Sequence, residues 1–323
     1  MNLHGGKNSK LAYYLDSYWA MAMPAQWLRR RLGRLIEAAA RRDDYGLIRE
    51  RVDYCCRLEL PCALGERGTP IGEQRVLHPK VYYLDSLRYA RYFDPRLRWH
   101  LEVGDVNYIP DLPSIVKSRP VEGDRSRATL LNLDRVRHFV FLSDRRPWRE
   151  KRSCAIFRGA IGQMEGRACK ENRYRFMERF FGHPRVDAGE VMEGGRYVRP
   201  EWACRKMSLY EHLDYKFILA LEGNDVASNL KWVMSSNSLA VMPRPRFETW
   251  FMEGRLRPGY HYVEIADDFA DLEEKMDYYI GHPEEAEAIV RHAHEWVNQF
   301  RDGERERLVS LLVLEKYLRL VNP

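Results

Sequence analysis

Phe217-Ile218-Leu219-Ala220-Leu221-Glu222-Gly223-Asn224-Asp225-Val226-Ala227-Ser228-Asn229-Leu230-Lys231-Trp232 passes from an unbroken apolar run into small and polar residues and then into a helical pattern. The apolar run predicts a buried strand, the small residues a turn, and the remainder the start of a helix. Strand-to-helix turns of this kind suit nucleotide phosphates, because N–H groups at a helix start carry partial positive charge. Gly223 is expected to let the chain turn tightly, and Lys231 to add a cation facing a diphosphate. An ordinary strand-to-helix turn of an α/β domain fits the same segment. Upstream, Ala155-Ile156-Phe157-Arg158-Gly159, followed by Arg167, has the same form.

Working outward, strands are expected at 154–158, 185–188, 216–221, 238–242 and 260–265, with helices at 169–181, 228–235 and 268–280 between them. Such alternation predicts a parallel sheet covered on both faces. Two long amphipathic helices, 284–300 and 305–320, close the chain. In the first half, apolar segments at 81–84, 97–103, 114–117 and 138–142 are expected to be strands of a second α/β unit. The charged, proline-bearing stretch Ser143–Arg152 marks a boundary, dividing the chain into residues 1–150 and 151–323.

With 323 residues, 45% hydrophobic and 31% charged, the chain has a globular composition and length for one large or two average domains. Its 53 basic against 47 acidic residues give a net charge of +6, which fits an anionic ligand, a membrane surface or nucleic acid without choosing among them. No nucleic-acid-binding motif is present, and nucleic acid is not expected as a partner. The six cysteines form no CxxC pair, so reduced thiols are expected rather than zinc or a disulfide framework. The N-terminus lacks the apolar core of a signal peptide and no run is long enough to span a bilayer, so a cytoplasmic location is expected. From Pro24 to Arg42 an amphipathic pattern sets Trp27, Leu28, Leu32, Leu35, Ile36 and Ala39 against a basic face. It fits a helix lying on anionic lipid, or a surface helix whose apolar stripe faces the core.

Four segments in order, Phe157-Arg158-Gly159 with Arg167, His212–Phe217, Gly223–Lys231, and Trp250-Phe251 through Pro258–Tyr262, resemble glycosyltransferase family 90 over roughly residues 154–265. Val116–Pro120, Val136–Phe139 and Gly223–Ala227 resemble the bacterial lipopolysaccharide core branch of that family. The resemblance implies an α/β fold of GT-B type, two Rossmann-like lobes with a cleft between them, the donor held by the second. It implies an inverting, metal-independent transfer of glucose or galactose from a UDP-sugar, with no cofactor beyond that co-substrate. The implied acceptor is a lipopolysaccharide core saccharide at the cytoplasmic face of the inner membrane, with peripheral contact to that anionic surface. Modification of a protein or capsule, or a silent nucleotide-sugar-binding protein, are the alternatives.

Site residues follow from the same resemblance. Arg167 matches the diphosphate-binding arginine, with Arg158 and Gly159 shaping its loop. A second family arginine falls at Asn229, where Lys231 is expected to take over its charge. Glu222, Gly223, Asn224 and Asp225 complete the donor loop; apart from the resemblance, Glu248, ahead of another loop, is expected to accept hydrogen bonds from ribose hydroxyls, and a surface helix-cap charge fits it equally. The family's catalytic aspartate has no counterpart after Arg119, where Pro120 stands, so Asp124, with Glu122 close by, is taken as the base. A turn-forming role fits Gly123-Asp124 equally. Trp250 and His261 are expected to be packed rather than catalytic.

Overall fold

A computed structural model describes residues 5–162, 170–191 and 197–323 of the chain. Helices α1 (Lys10–Ala22), α2 (Ala25–Ala40) and α3 (Tyr45–Cys55) open it. In α2 the buried residues are Leu28, Leu35 and Ala39, so its apolar stripe faces the core and its arginines face outward. Strands β1 (Thr69–Pro70) and β2 (Arg98–Trp99) pair antiparallel around α4 (Lys80–Ala90). The strand expected at 81–84 is therefore the first turn of α4. Its run continues into Leu87 and Ala90, and the buried set Tyr82, Asp85, Ser86, Leu87 and Ala90 has helical spacing, which overrides the β-prone Val81–Tyr83 start.

Strands β3 (Leu101–Glu102), β4 (Ser114–Val116) and β6 (Ala128–Leu130) form a parallel sheet in the order β3-β4-β6, while β5 (Ser118–Pro120) leaves it. The segment expected as a strand at 138–142 is instead the end of the short helix α5 (Arg135–His138) followed by non-strand chain, since no neighbour offers it a ladder.

The second half alternates as its pattern predicts: β7 (Arg152–Gly159), α6 (Glu171–Phe180), β8 (Val186–Glu190), α7 (Leu209–His212), β9 (Tyr215–Leu219), α8 (Leu230–Met234), β10 (Leu239–Met242), β11 (Phe247–Thr249) and β12 (Val263–Glu264). Five of these strands make one parallel sheet, ordered β12-β10-β9-β7-β8. Successive residues of a strand point to opposite faces, and here both faces are dry. Ala155, Phe157, Phe217, Leu219, Leu239 and Val241 join Phe176 and Phe180 of α6 in one core. Ile156, Ile218, Ala240 and Met242 join the other, which is shared with the first half of the chain. This burial explains the unbroken apolar runs that made the strands legible. Meanwhile β11 pairs antiparallel with β5, tying the two halves by a ribbon.

Helices α9 (Leu272–Gly281), α10 (Pro283–Asn298) and α11 (Gly303–Val321) follow. Asp302 caps α11 by accepting from the N–H groups of Glu304 and Arg305, at 3.0 Å each. α11 packs on α2, α3, α4 and β2, so the C-terminal helix lies against the first half. Its Tyr317 hydroxyl donates to the Pro113 carbonyl at 2.7 Å and accepts from the His100 N–H at 3.1 Å, bracing the entry to β4. No helix among the described residues is long and apolar enough to cross a membrane.

Tyr317→Phe keeps the ring but leaves a buried carbonyl and N–H short of a partner. Equilibrium urea unfolding is expected to show a loss of about 1–3 kcal/mol, with no change in the slope of the transition.

Candidate active site

A cleft of about 490 Å³ opens at the carboxyl ends of β9 and β10. One wall is the chain from Ala220 to Leu230, another Met242 to Phe247, and a third the start of α6 with Lys170, Asn172 and Arg175. Asn107 reaches in from the first half. Parallel sheets place ligands here because the loops leaving the strands diverge and expose backbone and side chains that are free of the ladder.

Arg173 of α6 holds this end of the sheet together. Its guanidinium donates to the carbonyls of Ala160 at 3.0 Å, Leu221 at 2.7 Å and Glu222 at 3.1 Å, bridging the loops after β7 and β9. Burial pulls its pKa down to about 10, still far above neutrality, so the side chain stays charged. The two glycines singled out in the sequence make room for this bridge. A Cβ at Gly223 would stand 3.2 Å from Arg173 Nη2 and 3.5 Å from Lys170 Cε, and one at Gly159 would stand 2.9 Å from the Phe157 ring. Gly223 is absent from the positive-φ residues, so its contribution is clearance rather than the tight turn expected of it. Glu222 fixes the opposite wall: it accepts from the N–H groups of Arg246 at 2.9 Å and Phe247 at 3.1 Å, and pairs with the Arg246 guanidinium at 3.0 Å. Burial raises its pKa against these bonds.

From the first half, the loop after β3 meets the loop after β9 directly. Asp105 accepts from Asn224 Nδ2 at 3.1 Å and forms an ion pair with the buried Lys117, which pairs on its other side with Asp225 at 2.7 Å. Asn107 donates to the Asn224 carbonyl at 3.1 Å. Burial opposes ionisation of Asp105, but Lys117 and the Asn224 amide outweigh it and hold its pKa below the usual carboxylate range.

The other sequence-predicted residues that the structure describes are not in the cleft lining. Arg158 is held by Asp187, at 2.6 Å to the carboxylate and 2.7 Å to the carbonyl, as a structural pair between adjacent strands. Lys231 is fully buried on Glu253 at 2.5 Å, under the rings of Phe139 and Phe251, so its charge is already met. Asn229 turns its amide to the Leu219 carbonyl at 2.9 Å and caps nothing, and α8 behind it is only five residues long. Glu248 is wholly buried in the β5–β11 ribbon, bound by Arg119 at 2.8 Å, Arg125 at 3.2 Å and the Tyr54 hydroxyl, which leaves it no free face for a ribose. Asp124 is exposed on the turn between β5 and β6, where its Oδ1 accepts from the Ser126 N–H at 2.9 Å, the turn-forming role. Arg167 lies outside the described residues. His261 accepts at Nδ1 from the Arg257 N–H at 2.9 Å, and burial lowers its pKa to about 4, consistent with a packed, neutral ring.

Sequence reasoning missed Asp105, Lys170, Arg173, Arg175 and Arg244. Asp105 directly follows a first-half strand, and applying the strand-end rule to Gly104-Asp105 as well as to the second half would have found it. Lys170, Arg175 and Arg244 line the cleft and have no ion-pair partner among the described residues. Burial and the neighbouring Arg173 lower the pKa of Lys170. These three cations share the cleft lining with the acids Glu171 and Asp267.

A mixed α/β chain with a charged cleft at the carboxyl ends of a parallel sheet is compatible with a Rossmann-like glycosyltransferase. The sequence profile of Glycosyl transferase family 90 matches residues 132–322, which contain every wall of the cleft except Asn107. The chain is 41% identical over 316 residues to O-glucosyltransferase LpsA of Dichelobacter nodosus, covering 97% of this chain and 96% of that protein. It is 25% identical over 176 residues to human protein O-glucosyltransferase 3, spanning 53% of this chain and 32% of the other. It is also 26% identical over 171 residues to uncharacterized protein 027R of Frog virus 3 (isolate Goorha), spanning 44% and 17%. This chain belongs to glycosyltransferase family 90, and it is a glycosyltransferase.

Arg173→Met strips a partner from each of three loop carbonyls, and thermal or urea unfolding is expected to show a loss of about 1–3 kcal/mol. Arg175→Ala, two residues further along the helix but exposed, is expected to stay within about 0.5 kcal/mol of the parent.

Proposed function

We propose that the protein transfers a hexose, glucose or galactose, from a UDP-sugar to a lipopolysaccharide core saccharide, with inversion and without a metal. In this reading the two parallel sheets are two GT-B-type lobes meeting near residue 150, and the second holds the donor. The observation that carries it is the cleft itself, lined by Lys170, Arg175 and Arg244 without ion-pair partners among the described residues, beside the Asn224 side chain that Asp105 holds. The lipopolysaccharide-directed choice leans on the 41% identity to LpsA along nearly the whole chain.

The leaving diphosphate gains charge as the glycosidic C–O bond breaks, and fixed cations in a partly dry cleft stabilise that charge more than water would. Lys170, Arg175 and Arg244 are suited to this, together with the N-terminal end of α6 and with Arg167, which the family resemblance assigns to the diphosphate. Lys231 and Arg158 are structural cations in this reading, through their ion pairs with Glu253 and Asp187. Asn224, Gly223 and Glu222 shape the wall against which the sugar lies. Asp105 replaces Asp124 as the base: it is ionised, it touches the donor loop, and it follows a first-half strand. It takes the proton of the acceptor hydroxyl as that oxygen attacks the anomeric carbon, and UDP departs on the opposite side with the bonding electrons. A cytoplasmic site of action at the inner membrane matches the acceptor. Transfer to a protein or a capsule, or binding of a nucleotide-sugar without turnover, are distinguished by the same assay.

UDP release is measured from UDP-glucose and UDP-galactose with and without lipopolysaccharide core oligosaccharide; acceptor-dependent turnover is expected, and binding without turnover sinks the reading. Asp105→Asn is expected to lower kcat by about 10²–10⁴ with UDP affinity near the parent's, whereas Asp124→Asn leaves kcat nearly unchanged. Arg175→Ala with Arg244→Ala is expected to weaken UDP binding about tenfold or more, read by calorimetry. Because the Asp105 pKa is held down, the carboxylate stays ionised as pH falls through the ordinary carboxylate range. The acid limb of kcat/KM from this group should therefore appear only below that range.

A further inference from the structure

Helix α1 carries a face that the sugar-transfer chemistry does not use. Leu11, Ala12, Leu15, Tyr18, Trp19 and Ala22 recur at helical spacing and are all exposed, Leu11 at 70%, Leu15 at 62% and Trp19 at 74%. None carries a charge, so about three turns of helix show water an uncharged, mostly apolar stripe. The opposite side, Tyr13, Ser17 and Ala20, is buried.

This orientation is locked. The Tyr13 hydroxyl donates to Asp85 at 2.9 Å, Arg88 pairs with Asp16 at 2.7 Å, and Arg91 donates to the carbonyls of Ala20 at 2.9 Å and Met23 at 2.6 Å. Three polar ties from α4 and its C-terminal end thus prevent α1 from rolling its stripe inward. Exposure here is imposed by the fold rather than by loose packing.

Cations border the stripe. Lys80 donates to the Tyr18 hydroxyl at 3.2 Å, and Lys7 and Lys10 are exposed at the start of the helix. Just beyond its end, Arg29, Arg30, Arg31 and Arg34 of α2 have no ion-pair partner among the described residues, and Arg31 lies 4.3 Å over the half-exposed Trp27 ring. An apolar stripe with aromatic side chains and a basic border matches a surface that is apolar inside and anionic outside, which is an anionic phospholipid bilayer. A second copy of the chain would instead bring two basic borders together.

We infer that α1 seats the protein on an anionic membrane, Leu11, Leu15 and Trp19 entering the acyl boundary while the α2 arginines meet headgroup phosphates. This deepens the membrane location of the proposed function but rests on the surface alone, and it stands or falls separately from sugar transfer. The probe is flotation with vesicles of phosphatidylcholine alone or mixed with phosphatidylglycerol. The parent is expected to float with the anionic vesicles, less so as salt rises, and weakly with neutral ones. Leu15→Ser with Trp19→Ser should cut anionic binding about tenfold or more, and Arg30→Glu with Arg34→Glu should do likewise, each keeping the parent's melting curve and UDP affinity. Absence of binding to anionic vesicles, or binding untouched by the stripe variant, overturns the inference. So does a concentration-dependent dimer in sedimentation velocity that the stripe variant abolishes.

Discussion

A five-stranded parallel sheet buried on both faces leaves its carboxyl-end loops with carbonyls that no ladder partner reaches, and Arg173 answers three of them at once. An unmet buried carbonyl costs about as much as a hydrogen bond contributes, on the order of 1–3 kcal/mol, so the two loops are held at the separation the guanidinium sets. Everything at the cleft follows from that spacing. Gly159 and Gly223 are small because the guanidinium and its neighbours occupy the space a side chain would need. Lys170, just ahead of α6, and Arg175 within it lie on either side of Arg173 along the chain and line the cleft wall.

Charge is divided by burial. Lys231 with Glu253, Arg119 with Glu248, and Lys117 with Asp225 and Asp105 are deep pairs, in which desolvation offsets much of the attraction and the net gain is positional. They fix the β5–β11 ribbon and the contact between the Asp105 loop and the donor loop. Lys170, Arg175 and Arg244 at the cleft have no ion-pair partner among the described residues. A site that must accept an incoming anion needs such unpaired charge, since a cation already neutralised inside the protein has little attraction left to offer a ligand.

Much of the second half was legible from sequence. Strands there are covered on both faces, so each reads as a continuous apolar run, and the helices between them keep their own period; β7 through β10, α6, α9, α10 and α11 all lie where the pattern puts them, within a few residues. The first half was less so. Its strands are two or three residues long, too short to show a period, and α4 begins with the β-prone Val81-Tyr82-Tyr83, whose fate is decided by packing against α1 and α11.

The sequence by itself determined the parallel α/β pattern of the second half, the family, and the loop at Glu222–Asn229 as part of the cleft, because these depend on local periodicity and on short contiguous motifs. Only the tertiary structure decided which charged side chains are free. Lys231, Arg158 and Glu248 look as available in the sequence as Arg175 and Arg244 do. The difference lies in partners far along the chain, such as Glu248, 129 positions from Arg119. Ion pairing acts through space at a few ångströms, and proximity of that kind exists only once the chain has folded.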